Sequence, residues 1–170
     1  MLRNLFFTVA SAATAAIFSL PIETATAREQ VRFQGESAGT IVVKTHERKL
    51  YLVLGDGRAI RYPVGVGRVG KQWSGTSHIA GKYRNPAWSP PDEIRRDKPS
   101  MPAVIPGGSP SNPMGVAAMT LATGQYAIHG TNAPGSIGGY VSYGCIRMYN
   151  HDITDLFERV DVGTRVVVER

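Results

Sequence analysis

The sequence predicts a mainly β, single-domain protein with one clear helix. Three observations lead there. Short runs rich in Val, Ile, Leu and Tyr recur between turn signals. Nineteen glycines and eleven prolines punctuate the chain and break up long helices. One segment, "NHDITDLFERV" at 150–160, carries apolar residues at helical spacing.

Residues 1–27 read as a secretory signal peptide. Arg3 supplies the positive start, Leu5 to Leu20 a mostly apolar run, and Ala25-Thr26-Ala27 a small-x-small cleavage site. The run is short for a bilayer span and is diluted by Thr8, Ser11, Thr14 and Ser19. Cleavage after Ala27 is therefore expected, with no stable membrane insertion afterwards. No cysteine near the cut supports a lipid anchor. Residues 28–38 form a short polar arm, and residues 39–170 are long enough for one domain with a real core.

Within that domain "TIVVKT" (40–45), "KLYLVLG" (49–55) and "AIRYPVGVG" (59–67) predict an antiparallel meander, turned by "HER" and by "GDG". The stretch 73–113 holds eight prolines, which exclude long regular elements from about residue 84 onward. An insertion of that length in a compact domain points to a lid or binding loop. "MGVAAMTLA" and "QYAIHG" predict two further strands. The helix follows, with Asn150 as its N-cap, Asp152 in the first turn and Ile153, Leu156, Phe157 and Val160 on one face. "TRVVVE" closes the chain as a buried strand.

The formal charge is +6, and the leader removes one charge of each sign, Arg3 and Glu23. An exported chain with that excess suits an anionic wall polymer or membrane surface. Its basic residues are scattered rather than clustered, so nucleic acid is not an expected partner. No His, Cys and Asp grouping has zinc spacing, so no metal is predicted. Gly65, Gly67 and Gly70 imitate a dinucleotide loop, but no helix follows them, and no cofactor is expected.

The only cysteine, Cys145, lies in "VSYGCIRMYN", sixteen positions after His129 in "YAIHGT". A thiol nucleophile needs a base, and donors for the oxyanion formed on attack at a carbonyl. Gly144 permits close backbone approach, and the amides of Tyr143, Gly144 and Cys145 are placed to converge on one oxygen. On spacing alone, a core-filling Cys145 and a surface His129 fit equally well. His46, in a tight turn, His78 and His151 read as surface residues, with His151 near enough to the site to touch substrate. Trp73, Tyr83 and Trp88 read as packing under the loop, and Arg95, Arg96 and Lys98 as a solvated basic run.

The stretch "NPMG…YAIHGTNAPGSIGGYVSYGCIRMYNHDI" closely resembles the catalytic core of the L,D-transpeptidase family, the YkuD-type domain. The matching parts are His129-Gly130-Thr131, Ile137-Gly138, Ser142-Tyr143-Gly144-Cys145-Ile146-Arg147, and Asn150 with Asp152. Upstream, Trp73, Pro86, Trp88, Pro90 and Pro91 resemble the family's first half. The resemblance implies a β-sandwich-like catalytic fold with a long Pro-rich lid loop, and a periplasmic, cell-wall-associated enzyme acting on peptidoglycan stem peptides. It implies Cys145 as nucleophile, His129 as general base, an oxyanion hole near Gly144, and Arg147, Ser142, Thr131 and Asn150 around the substrate. The acceptor amine would come from another stem or from an envelope protein, and water would make the enzyme a carboxypeptidase. Tyr143 stands where the family usually has His, so position 143 is expected to lend chiefly its amide. A third reading, a wall-binding module with a decayed site, takes that Tyr as its symptom.

Overall fold

A computed structural model describes residues 28–170. The signal peptide expected over residues 1–27 lies outside them. The chain opens with β1 (Glu29–Arg32), β2 (Ile41–Lys44), β3 (Lys49–Gly55), β4 (Arg58–Pro63), β5 (Val66–Gly67) and β6 (Gly75–Arg84). The lid follows with α1 (Asp92–Asp97), then β7 (Ala117–Leu121), β8 (Ala127–His129), a 3-10 turn (Pro134–Ser136), β9 (Tyr140–Ser142), β10 (Ile146–Arg147), α2 (Asn150–Arg159) and β11 (Arg165–Glu169).

Nine strands join in the order β1-β4-β3-β2-β11-β6-β7-β8-β10, and β5 pairs with β9 beside them. The expected meander is β2–β3–β4. Its second turn uses positive φ at Gly55, Asp56 and Gly57, which a side chain with a branched Cβ would resist. The closing strand β11 lies centrally, parallel to β2 and antiparallel to β6. Strand β6 is shared: its first half pairs with β11, its second with β7, and the register shifts between Ile79 and Gly81. That bulge bends the sheet, so its halves face each other in a sandwich-like arrangement. Ile41, Val43, Leu50 and Leu52 from one half meet Met119, Ile128 and Ile146 from the other.

Strands β2 and β3 are apolar on both faces for a reason. Val42, Tyr51, Val53 and Ala59 point away from the main core, and Val31 and Phe33 cover them. The stretch read as an arm thus contributes the edge strand β1 and a lid for the sheet's outer face, with Phe33 and Tyr51 rings 4.9 Å apart.

Helix α2 buries Ile153, Leu156 and Phe157 at the predicted spacing, each worth about 1.5–3 kcal/mol of apolar burial. Its start differs from the sequence reading. Tyr149 occupies the cap position without a side-chain cap bond, and Asn150 is the first helical residue. The Asn150 Oδ1 instead accepts the Thr131 N–H at 2.9 Å. A fixed amide in the neighbouring loop outcompetes the helix's own first turn, which water can solvate.

The lid spans residues 85–113 and holds a second helix, α1, short enough to fit between prolines. Its neck is knotted by Asn112, which is 1% exposed. The Asn112 Nδ2 donates to the carbonyls of Pro86 (2.8 Å) and Pro106 (3.0 Å), and its Oδ1 accepts from the Met114 N–H at 2.9 Å. Trp88 and Ile105 exchange two backbone bonds across the same neck.

Candidate active site

Two parallel neighbours, β8 and β10, build the site. Their register sets Ile146 against Ile128 and Arg147 against His129. Alternation along a strand then sorts the residues. Ile128 and Ile146 enter the core, while Ala127, His129, Cys145 and Arg147 line one cavity of about 770 Å³. Cys145, just before β10, is half-buried. The cavity's other walls include Trp88, Glu93, Lys98 and Met101 of the lid, and Tyr126.

The His129 Nδ1 lies 2.6 Å from the Gly130 carbonyl oxygen. That contact selects the Nδ1–H tautomer and leaves Nε2 with its lone pair. Burial, and then the nearby Arg147 charge, push the imidazole down to about 4, against the pull of the Gly130 and Pro113 carbonyls. His129 is therefore neutral at pH 7. Burial also pushes the Cys145 thiol up, although a hydrogen bond from the Ala127 backbone and the Arg147 charge act the other way. The resting pair is a neutral thiol and a neutral base. Proton transfer in such a pair belongs to the moment of attack on a bound carbonyl.

Residues 142–145 form a rigid turn. The Ser142 Oγ donates to the Cys145 carbonyl at 2.6 Å and accepts from the Gly144 N–H at 3.1 Å. The Gly144 amide, one of the three expected to face an oxyanion, is thus engaged inside the turn. The Tyr143 and Cys145 amides have no hydrogen-bond acceptor among the described residues. Gly144 has φ +118°, and a Cβ there would overlap the Tyr126 ring. That ring stacks on Trp73 at 4.9 Å and 6°, and the Trp73 Nε1–H donates to the Gly144 carbonyl at 3.0 Å. Trp73 thus packs, as expected, and also braces the turn.

Arg147 sits half-buried with its Nε in contact with no acceptor among the described residues. Its Nη1 reaches only the Ser136 Oγ, at 3.5 Å. A cation left this free beside a thiol suits an anionic group on a ligand. The predicted residues Ser142, Tyr143, Cys145, His129 and Arg147 share the cavity, whereas Thr131 and Asn150 line a second, separate depression. His46, His78 and His151 are exposed. Trp88 and Lys98 join the cavity wall, Tyr83 is exposed, and Arg95 ties the lid's own base to the Pro90 carbonyl at 2.8 Å. Sequence reasoning missed Tyr126, Asn112, and the charged contacts Arg68–Asp97 and Lys71–Glu93 between the β5–β6 loop and the lid. None carries a local motif. An acid at the C-terminal end of α1, Asp97, was the one available signal, because the helix dipole disfavours it there.

A sandwich-like sheet with an imidazole at the end of β8 and a thiol just before its parallel neighbour β10, beneath a lid, defines a thiol-bearing mainly β domain, and comparison with known proteins gives the family. The model of the YkuD L,D-transpeptidase catalytic domain matches residues 38–168. The chain belongs to that family. It is 43% identical over 135 residues to a protein named probable L,D-transpeptidase YbiS of Escherichia coli, covering 74% of this chain and 43% of that one. The chain thus spans less than half the length of that relative. A crystal structure from Brucella melitensis, described as a probable carnitine operon oxidoreductase, is 37% identical. It covers 87% of this chain and 96% of its own, at a TM-score of 0.57. L,D-transpeptidase 3 of Mycobacterium tuberculosis, solved with a faropenem-derived adduct, has a TM-score of 0.60 at 16% identity, over 77% of this chain and 60% of that one. At that identity the likeness concerns the fold.

Proposed function

We propose that this domain is a cysteine-dependent L,D-transpeptidase acting on peptidoglycan stems in the periplasm. The observation that carries the reading is the single thiol, Cys145, in the same cavity as a neutral His129 and beside two unengaged amides. The Cys145 Sγ attacks the carbonyl between diaminopimelate and D-Ala while His129 Nε2 takes the thiol proton. The amides of Tyr143 and Cys145 hold the oxyanion. As the intermediate collapses, His129 returns the proton to the departing D-Ala amine and a thioester remains on Cys145. An amine from a second stem, or from an envelope protein, then attacks the thioester and regenerates the thiol. Arg147, uncommitted to any carboxylate among the described residues, binds a carboxylate of the stem.

Incubating residues 28–170 with purified muropeptides and weighing the products tests this. A dimer joined through diaminopimelate with loss of D-Ala supports transfer, and free tripeptide would make the domain a hydrolase on the same thiol. No change with wild type, or equal turnover by Cys145→Ala, would overturn the assignment. The same pair exposed to a penem or carbapenem should differ by one covalent adduct, by analogy with the faropenem-derived adduct of the mycobacterial protein.

A further inference from the structure

Tyr143 does more than lend an amide. Its hydroxyl donates to the Asp97 Oδ2 at 2.5 Å, and the Arg68 Nη2 donates to the same oxygen at 3.0 Å. The Arg68 guanidinium also lies over the Tyr143 ring, 3.9 Å from its centroid. Asp97 ends α1 in the lid, whereas Arg68 follows β5 and Tyr143 follows β9, so three separate segments meet at one carboxylate oxygen. Arg68 is tied to the turn twice, since its backbone N–H donates to the Ser142 carbonyl at 2.9 Å. From there Ser142 Oγ bonds the Cys145 carbonyl. A second contact, Lys71 to Glu93, holds the other end of α1 to the same loop.

We infer that Asp97, Arg68 and the Tyr143 phenol form a latch that docks the lid on the nucleophile's turn and holds the Tyr143 and Cys145 amides in position. They are positioning residues, and their place rests on the acyl-transfer reading of that turn. The helix dipole makes an acid at this end of α1 unfavourable for the helix itself, so the lid's sequence is matched to a partner outside it. The phenol supplies a donor at the far edge of a long ring, which spans from the turn to the lid. Both Asp97 and Arg68 are partly exposed, at 43% and 42% of their side-chain surface. An exposed latch of this kind is weak and salt-sensitive, and can therefore release within a catalytic cycle.

The test compares wild type, Tyr143→Phe, Asp97→Asn and the double variant. Amide hydrogen exchange of residues 90–103 reads lid docking without any need for activity. Saturation kinetics of imipenem acylation read the turn. Each single change should speed lid exchange and lower the maximal acylation rate about two- to fivefold, the size typical of exposed charged contacts. The double variant should be no worse than Asp97→Asn alone, and 0.5 M salt should speed exchange more in wild type than in the double variant, where only Lys71–Glu93 remains to be screened. The concentration for half-saturation should stay within about twofold, since the amides act on the transition state. Unchanged exchange in Tyr143→Phe, or single effects that multiply in the double variant, would overturn the latch. A shift in half-saturation with an unchanged maximal rate would overturn the positioning role, because the lid would then control entry alone. Lid exchange that responds as expected in a protein that imipenem never acylates would uphold the latch and overturn the acyl-transfer reading instead.

Discussion

Replacing Gly144 by Ala probes the turn most directly. The residue adopts φ +118°, where an L side chain is strained by about 1–3 kcal/mol. The added methyl also overlaps the Tyr126 ring, which cannot swing aside without leaving its stack on Trp73. Strain and overlap act together, so the turn must move. In the proposed mechanism the amides on either side of residue 144 then leave the oxyanion, and losing one such donor costs about 10²- to 10³-fold in rate. Acylation by a carbapenem, followed as adduct mass against time, should fall by that factor in Gly144→Ala. Adding Tyr126→Ala removes the overlap but not the φ strain, so it should recover about tenfold at most, the equivalent of 1.4 kcal/mol. A folded Gly144→Ala protein that acylates within about threefold of wild type would refute the reasoning, since these amides would then not hold the oxyanion.

Four further outcomes are expected. The acid limb of the acylation–pH profile should have its midpoint near 4 instead of the ordinary histidine value, and His129→Ala should flatten it while losing about 10²- to 10⁴-fold in rate. The same depression makes stability fall as pH drops from about 6.5 towards 4, because the unfolded chain takes up the proton first; acid-titrated melting of wild type against His129→Ala checks the sign. Asp152 is fully buried with neither oxygen hydrogen-bonded among the described residues, and burial pushes its carboxyl up despite Arg28 and despite His151, whose Nε2 lies 3.3 Å from Oδ1. Its charged form therefore costs stability as pH rises past the unfolded carboxyl value. Asp152→Asn should raise Tm at pH 7 by about 2–5 °C, and the gain should vanish below about pH 3.9. Trp73→Phe keeps the stack on Tyr126 but loses the bond to the Gly144 carbonyl, about 1 kcal/mol; its acylation rate should fall about fivefold, and an unchanged rate would mean the turn needs no brace.

Much of this was legible in the chain because it is encoded by local periods and short motifs. The meander and the apolar face of α2 depend on alternation and helical spacing, whereas His129 and Cys145 were brought together only by the family resemblance of their two motifs. Strand β1 was hidden because "EQVR" carries one apolar residue, and its pairing with β4 is a tertiary fact. The helix start was misread at Asn150 because a cap and a loop brace use the same side-chain oxygen, and sequence does not reveal which donor is nearer. That the Gly144 amide is held inside its own turn was hidden because its partner, the Ser142 hydroxyl, is fixed by the turn's shape and not by any motif. Arg68, Lys71 and Glu93 were illegible, and the ill-placed acid Asp97 did not reveal its partners, since these residues meet across segments that no spacing rule connects.

The knot at Asn112 gives the lid a property of its own. One buried side chain gathers the carbonyls at both ends of residues 86–106 and fastens them beside the Met114 amide. Whatever chain lies between those points is held at a fixed gate, and lengthening a closed loop adds only about 0.6 kcal/mol for each doubling. The lid is in that sense a cassette. Natural drift or an engineer can exchange its contents, and with them the ligands it admits, without rebuilding the sheet, provided an acid like Asp97 is kept to meet Tyr143 and Arg68.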